Sequence, residues 1–351
     1  MIMVGADVHK RTHTFVAVDE AGRQLAQKTV KATTTGHRQV MQWARERFDD
    51  ELQWAIEDCR NLSTRLERDL LGAGATVVRV PPHLMAEYRR IGRSRGKSDP
   101  IDALAVARAA LREPDLPVAE HDAVSRELKL LTDHRETLVA QRTAIINRLL
   151  WHVHEIDPGY HIAARSMDRK KQQNRVGAWL ADAEGVLAEL ARELLADIVE
   201  VTGRINSYER RLAAAVAPVA PTLLDLLGCG ALTAAKIVGE TANITRFATD
   251  AKFARHAGVA PIPVWSGNTA GRVRLTRSGN RQLNAAIHRI AITQIGRKNS
   301  LGRAYYDRKQ QEGKTTKEAL RCLKRRLTRI VFTALTTDHN ARTQPDLQTA
   351  A

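Results

Sequence analysis

The chain has 351 residues, 43% of them hydrophobic and 27% charged. No apolar run approaches the roughly 18 residues of a membrane span, which excludes an integral helical membrane protein and leaves a globular chain with room for two or three domains. The net charge of +16 points to a polyanionic partner. Cys59, Cys229 and Cys322 are scattered, with no CxxC and no Cys/His cluster, so no zinc site is expected. Met1 to Asp7 is too short and too soon acidic for a signal peptide, so a cytoplasmic protein in a reducing compartment is expected.

Ile2 to His9 reads as a buried strand ending in polar residues, and Thr14 to Val18 alternates with it after a short turn. Gly22 opens a third run, Gln24 to Thr33, completing an antiparallel meander. Thr34 caps a helix through Phe48, with Val40, Met41, Trp43 and Ala44 at helical spacing. Leu52 to Glu57 is a fourth strand, Asn61 to Leu71 a helix stopped by Gly72 and Gly74, and Thr76 to Val80 a fifth strand. Pro81-Pro82 then starts a helical segment to about Ile91. Three strands, helix, strand, helix, strand, helix is the element order of a ribonuclease-H-like α/β sheet, expected over residues 1–120.

In such sheets ligands gather at strand ends. Asp7 stands at the end of the first strand and Glu57 at the end of the fourth. After the fifth, Gly96-Lys97-Ser98-Asp99-Pro100-Ile101-Asp102-Ala103 carries a basic loop into a helix. Asp99 and Asp102, at i and i+3, share one helical face. Close carboxylates repel unless a cation sits between them, and hard oxygen ligands suit Mg²⁺. Each acid also has a structural explanation. Asp99 can cap its helix with Pro100 at the first position, Asp102 fits the acid-favouring first turn, and Asp7 and Glu57 can form strand-end turns. Four acids at the convergence points of one sheet favour the metal site. Five basic residues from Arg89 to Lys97, among them Arg93, Arg95 and Lys97, would hold a nucleic-acid strand beside it; a solvated loop is the alternative.

Asp102 to Leu111 is alanine-rich and helical, and Pro114 and Pro117 break it. A long helix runs from Ala123 to His154, with Leu128, Leu131, Leu138, Ile145, Leu149 and His152 near heptad spacing. Arg165 to Arg175 reads as an exposed basic loop. A second long helix, Val176 to Ala217, carries Leu180, Leu187, Leu190, Leu194, Ile198, Val201 and Ile205. The pair predicts a helical coiled-coil arm over 121–217, either packed on itself or pairing two copies into a homo-oligomer.

From Pro218 to the end, 22 Lys/Arg face 8 Asp/Glu, so nearly the whole positive excess lies here. That predicts a mostly helical, nucleic-acid-gripping domain over 218–337, followed by a disordered polar tail, 338–351. Gly228 and Gly230 separate two apolar helical runs, as in a helix-hairpin-helix whose backbone amides hold a phosphate, with Lys236 in the second run. An ordinary helix-turn-helix packing element reads the same. Ser266 follows in a glycine-rich turn before Arg272, Arg274, Arg277 and Arg281. On residue chemistry alone it is a turn residue before it is a nucleophile. Lys324, Arg325 and Arg326 make a last basic face.

Taken together, "GADVHK" at Gly5 to Lys10, "AIED" at Ala55 to Asp58 and "KSDPIDALAVA" at Lys97 to Ala107 resemble a known family. So do "LLGCGALTAAKIVGE", "HAGVAPIPVWSG" and "SGNRQLNAAI" further on. The chain resembles the DEDD transposases of the insertion-sequence one-ten family, the bridge-RNA-guided recombinases. The resemblance implies a RuvC-like N-terminal domain whose four acids, here Asp7, Glu57, Asp99 and Asp102, bind Mg²⁺, with Mn²⁺ as a substitute. It implies a C-terminal transposase domain whose serine, here Ser266, attacks DNA and forms a covalent phosphoserine link. It also implies donor and target DNA, a structured noncoding bridge RNA, and a dimer or tetramer as partners. Cys229 stands where the family often has a branched apolar residue, and "TAGR" replaces a lysine-rich stretch after "VWSGN". The rival readings are a hydrolytic RuvC-like junction-resolving nuclease, an ATPase of the actin or sugar-kinase type, and a non-catalytic nucleic-acid-binding protein.

Overall fold

Parallel strands cannot be joined by a tight turn, so a sheet that mixes both directions must route chain across its faces. The computed structural model of the chain describes residues 1–48, 51–57, 62–91, 98–113, 116, 118–120, 122–271, 273–275 and 279–343. It divides into two compact units, Met1–His121 and Asp122–Ala351.

The first unit is a five-stranded sheet. Its strands are β1 (Ile2–Val8), β2 (Thr12–Val18), β3 (Gln24–Lys31), β4 (Leu52–Glu57) and β5 (Thr76–Val80), in the order β3-β2-β1-β4-β5. The meander β1–β2–β3 is antiparallel, while β4 runs parallel to β1 and β5 parallel to β4. This order, with these directions, is the ribonuclease-H-like sheet that the element order predicts. Central β1 is buried along its whole length, as its near-continuous apolar sequence requires, whereas edge strand β3 keeps one face in solvent.

Helices cover both faces. Ile2, Val4, Ala6 and Val8 share a core with residues of α1 (Thr34–Arg47) and α2 (Thr64–Gly72). Met3 on the opposite face packs with Ala55, Val80 and the alanine-rich α4 (Asp99–Arg112), beside which lies α3 (Pro82–Ile91). The alternation of a strand thus puts odd-numbered β1 residues under α4. Gly5 is one of them. A Cβ there would collide with the Ala103 carbonyl oxygen and stand 2.5 Å from the Ala107 nitrogen. Glycine is what lets α4 lie directly on β1.

Among the described residues, the second unit is helical apart from one short ribbon. Its elements are α5 (Ala123–Ile156), α6 (Lys170–Ala181), α7 (Val186–Val216), α8 (Pro221–Leu224), α9 (Ala231–Thr241) and α10 (Asp250–His256). They continue with the ribbon β6 (Pro261–Pro263) and β7 (Val273–Leu275), then α11 (Arg281–Gly296), α12 (Leu301–Gln311) and α13 (Thr316–Thr343). Leu138 of α5 meets Val201 and Ile205 of α7, so the two long helices pair within one chain. Leu128, Leu131, Leu212 and Val216, at the base of that pair, enter the same core as Phe253, Ile287, Leu323 and Val331. The boundary expected at residue 217 falls inside this unit.

Three expectations are corrected. The helix expected over Val176 to Ala217 is two helices, α6 and α7, broken at Gly185, which takes a left-handed φ of 92°. Arg192 of α7 donates to the carbonyls of Leu180 (2.7 Å) and Ala183 (3.0 Å), satisfying the end of α6. The basic stretch Arg165 to Arg175 is not wholly a loop, because α6 starts at Lys170 and buries Val176 and Leu180 against Leu149 and Ile198. The tail expected from residue 338 is helical to Thr343. Asp338 is buried and accepts from the backbone amides of Thr222 (3.0 Å) and Leu223 (3.3 Å), capping α8 from a distance that spacing along the chain does not reveal. Residues 344–351 lie outside the described residues.

Gly5→Ala is expected to destabilise the first unit by about 2 kcal/mol or more, because backbone rather than a side chain must move aside. A fall in the urea midpoint at unchanged slope would register it; an unchanged midpoint would show that the β1–α4 contact is looser than described.

Candidate active site

The two parallel strands β1 and β4 end side by side, with Ala6 paired to Ile56. The next residue on each is an acid, Asp7 and Glu57, and strand alternation turns both toward the α4 side. Helix α4 begins at that same end of the sheet. Ser98, rather than Asp99, holds its capping position, so Asp99 and Asp102 both lie in the first helical turn. Asp7 and Asp102 are buried, and Glu57 and Asp99 half-buried.

These acids feel one another. Burial pushes the Asp7 carboxyl up to about 6, His9 pulls it down, and the charges of Asp102, Asp99 and Glu57 push it up again. All four acids singled out in the sequence are therefore within electrostatic reach of one point. Arg89 of α3 donates to Asp102 Oδ1 (3.1 Å), which partly offsets the crowding.

His9 joins the site without being among the residues that the sequence points to, although its spacing carries a signal. It follows Asp7 by two, so the pleat puts both on one face. Its Nε2 lies 3.2 Å from Asp7 Oδ2 and 3.3 Å from Asp99 Oδ1, bridging the end of the sheet to the start of α4. The imidazole's hydrogen bond goes to Asp99, and among the described residues Asp7 Oδ2 is buried without a hydrogen-bond partner. Asp7, His9 and Asp99 each offer one ligand atom, all within 4.8 Å of one another. Two ligands at right angles on one small divalent ion, each at about 2.1 Å, stand about 3 Å apart. The orphaned oxygen and these spacings fit a metal ion.

The main chain of His9 is fixed from behind, where its amide donates to His13 Nδ1 (3.3 Å) on β2. His13 is buried and stacks on His37 at 5.2 Å. Burial first, and then the proximity of His37, push the His13 imidazole down to about 4. A neutral ring is what an acceptor at Nδ1 requires.

The remaining candidates lie in the second unit or outside the described residues. Arg93, Arg95, Lys97, Arg272 and Arg277 lie outside them. Ser266 is exposed on the connection between β6 and β7, just before Gly267, whose φ is 45°. Arg274 on β7 and Arg281 at the start of α11 are also exposed. Gly228 has a φ of 90°, and Gly230 precedes α9. The first apolar run of the expected helix-hairpin-helix is only the single turn α8, which ends at Leu224, four residues before Gly228. Lys236 points inward and pairs with Glu136 of α5. Lys324 is buried and donates to Asn284 Oδ1 (2.5 Å), and Arg325 pairs with Asp250 (2.8 Å), so of these three residues Arg326 is the exposed one.

A family model described as a transposase of the DEDD IS110 type matches residues 4–158, and one described as the transposase IS116/IS110/IS902 family matches residues 220–307. The uncharacterized 44.8 kDa protein of insertion element IS116 from Streptomyces clavuligerus is 26% identical over 95% of this chain and 94% of that protein. The uncharacterized 42 kDa protein of insertion element IS900 from Mycobacterium paratuberculosis is 26% identical over 100% and 99% respectively. Among solved structures, Thermus thermophilus RuvC aligns with 31% of this chain and 92% of its own at 18% identity, with a TM-score of 0.25.

With His13 neutral in the folded state and protonated near pH 6.5 in the unfolded one, its contribution is complete above about pH 6.5. It is lost as pH falls toward about 4, amounting to at most about 3 kcal/mol. Urea titrations of the metal-free protein at about pH 7.5 and about pH 5 should show this slope, and His13→Leu should flatten it. An equal slope in the variant would assign the acid sensitivity elsewhere.

Proposed function

Since the chain belongs to the IS116/IS110/IS902 family of transposases, we propose that it cuts and rejoins DNA strands through a covalent link to Ser266, aided by a divalent ion at the acids. The observation that carries the metal half is the buried Asp7 oxygen left, among the described residues, without a hydrogen bond between converging carboxylates. Asp7, Glu57, Asp99 and Asp102 would hold the ion, with His9 beside them. Mg²⁺ suits the oxygen donors, and Mn²⁺ tolerates the imidazole as well. Once bound, such an ion supplies positive charge for the oxygens of a scissile phosphate.

The chain's own residues do the rest. Asp7 stays fixed at the end of a fully buried strand, and Arg89 holds Asp102 in one orientation. His9 ties Asp7 to Asp99 across two elements. Ser266 stands exposed on the connection between β6 and β7. Its Oγ would form a bond to phosphorus as the phosphorus–oxygen bond to the leaving strand breaks. The serine loses its proton and the leaving oxygen gains one. One phosphodiester replaces another, so the reverse step can rejoin strands without ATP. Donor DNA, target DNA and a structured noncoding RNA are the expected partners, supported by the positive excess after residue 218. In that arrangement base pairing reads sequence while the protein grips backbone. Assembly as a dimer or tetramer belongs to the same reading.

The test is a denaturing gel of the protein with the noncoding DNA that flanks its gene expressed alongside, donor and target DNA, and Mg²⁺. Wild type should give a protease-sensitive protein–DNA band. Ser266→Ala and Asp99→Asn should each lower it at least about a hundredfold, as loss of a nucleophile or a metal ligand does. Nicked DNA with no adduct, undiminished by Ser266→Ala, would instead establish the hydrolytic nuclease.

A further inference from the structure

Between the β6–β7 ribbon and helices α12 and α13 lies a cavity of about 700 Å³. Its apolar wall is made by Val259, Pro261, Cys322 and Ile330. Arg274, Lys314, Arg321 and Arg326 bring positive charge to it, against the one carboxylate, Glu318, among its described lining residues. Arg325 and Arg329 also border it, but both are engaged by Asp250, at 2.8 and 3.1 Å. Arg326 lies over the ring of Tyr305, 4.8 Å from its centre, which holds a planar guanidinium at the cavity wall.

This combination is unlike a site for duplex backbone. Phosphates need cations and water but no apolar wall, and a duplex is too wide to enter such a space. A volume of a few hundred Å³ with apolar sides is the size of a small-molecule site. An unstacked nucleobase fits both demands, with its faces against apolar atoms or a guanidinium plane and its phosphates on the cationic rim. The position adds a reason. One wall is the ribbon itself, through Pro261, Val273 and Arg274, and the connection of that ribbon carries Ser266. We propose that the cavity takes one unpaired nucleotide of the strand presented to Ser266, base inside and phosphates on Arg274, Arg321 and Arg326. The proposal rests on the reading that the chain acts on nucleic acid, and it adds a strand-state preference: single-stranded over duplex at this point.

Cys322 gives the readout. Cys229 is buried and its thiol is pushed up to about 12, so it stays unreactive, and Cys59 is followed separately by its own peptide. Full-length protein is alkylated with iodoacetamide, the Cys322 peptide is quantified by mass spectrometry, and binding is followed in parallel by fluorescence anisotropy. Three probes are used: a short single-stranded oligonucleotide, its duplex, and the same single strand with abasic positions throughout its centre. With the single strand at ten times its Kd, Cys322 labelling should slow about tenfold. The duplex and the abasic strand, at equal occupancy, should leave the labelling rate within about twofold of the free protein. Cys322 labelled at the free rate while the single strand is bound would overturn the base site and leave the nucleic-acid reading intact. Equal protection by the abasic strand or the duplex would also overturn it, since the backbone alone would then cover the cysteine. Absence of binding by all three at low salt would overturn the nucleic-acid reading, and the base site with it.

Discussion

Like charges held together in a half-dry space repel, and the first unit is arranged around that repulsion. Asp7 is pushed toward neutrality by burial and by three neighbouring acids, and His9 counters them. Such an arrangement persists only if rigid elements impose it. Here the elements are a strand buried along its length and a helix that touches it without an intervening side chain at Gly5. A looser sheet would let the acids drift apart and lose the one property that makes them useful to a cation. The strain is local and the scaffold that bears it is the whole hydrophobic interior of the unit.

Much of this was legible in the residues. The order of strands and helices fixed the sheet, and Asp7, Glu57, Asp99 and Asp102 were placed by strand ends and by i, i+3 spacing. What the sequence does not show is contact between residues far apart along the chain. By its local pattern His9 is one more polar residue at a strand terminus, because nothing there says that Asp99, ninety residues on, stands opposite it. Asp338 looks like tail for the same reason, since its partners Thr222 and Leu223 are more than a hundred residues away. Periodicity reports which face of an element is wet; it is silent on which distant element dries it.

Charge was the least reliable guide to contact. Lys236, Lys324 and Arg325 look alike in the sequence to Arg274 and Arg326, yet the first three are consumed by Glu136, Asn284 and Asp250. A basic composition therefore sets the field around the second unit without saying which side chains meet a phosphate. The helical pair α5–α7 shows the same limit for apolar residues. Its heptad-like stripe is spent inside the chain, on Leu138, Val201 and Ile205 at mid-length and on the common core at its base.

The closure of α8 by Asp338 has a bearing on how the protein is made. A chain leaves the ribosome from its N-terminus, and domains fold as they emerge. The first unit has all its strands and helices once residue 121 is out. The second does not, because Leu323, Leu327, Val331 and Asp338 belong to its last helix. During synthesis α5, α7 and α9 must wait with their greasy sides uncovered until that helix arrives. The interval is one in which newly made copies can associate through unfinished surfaces, and it makes the translation of that helix a period of exposure to chaperones.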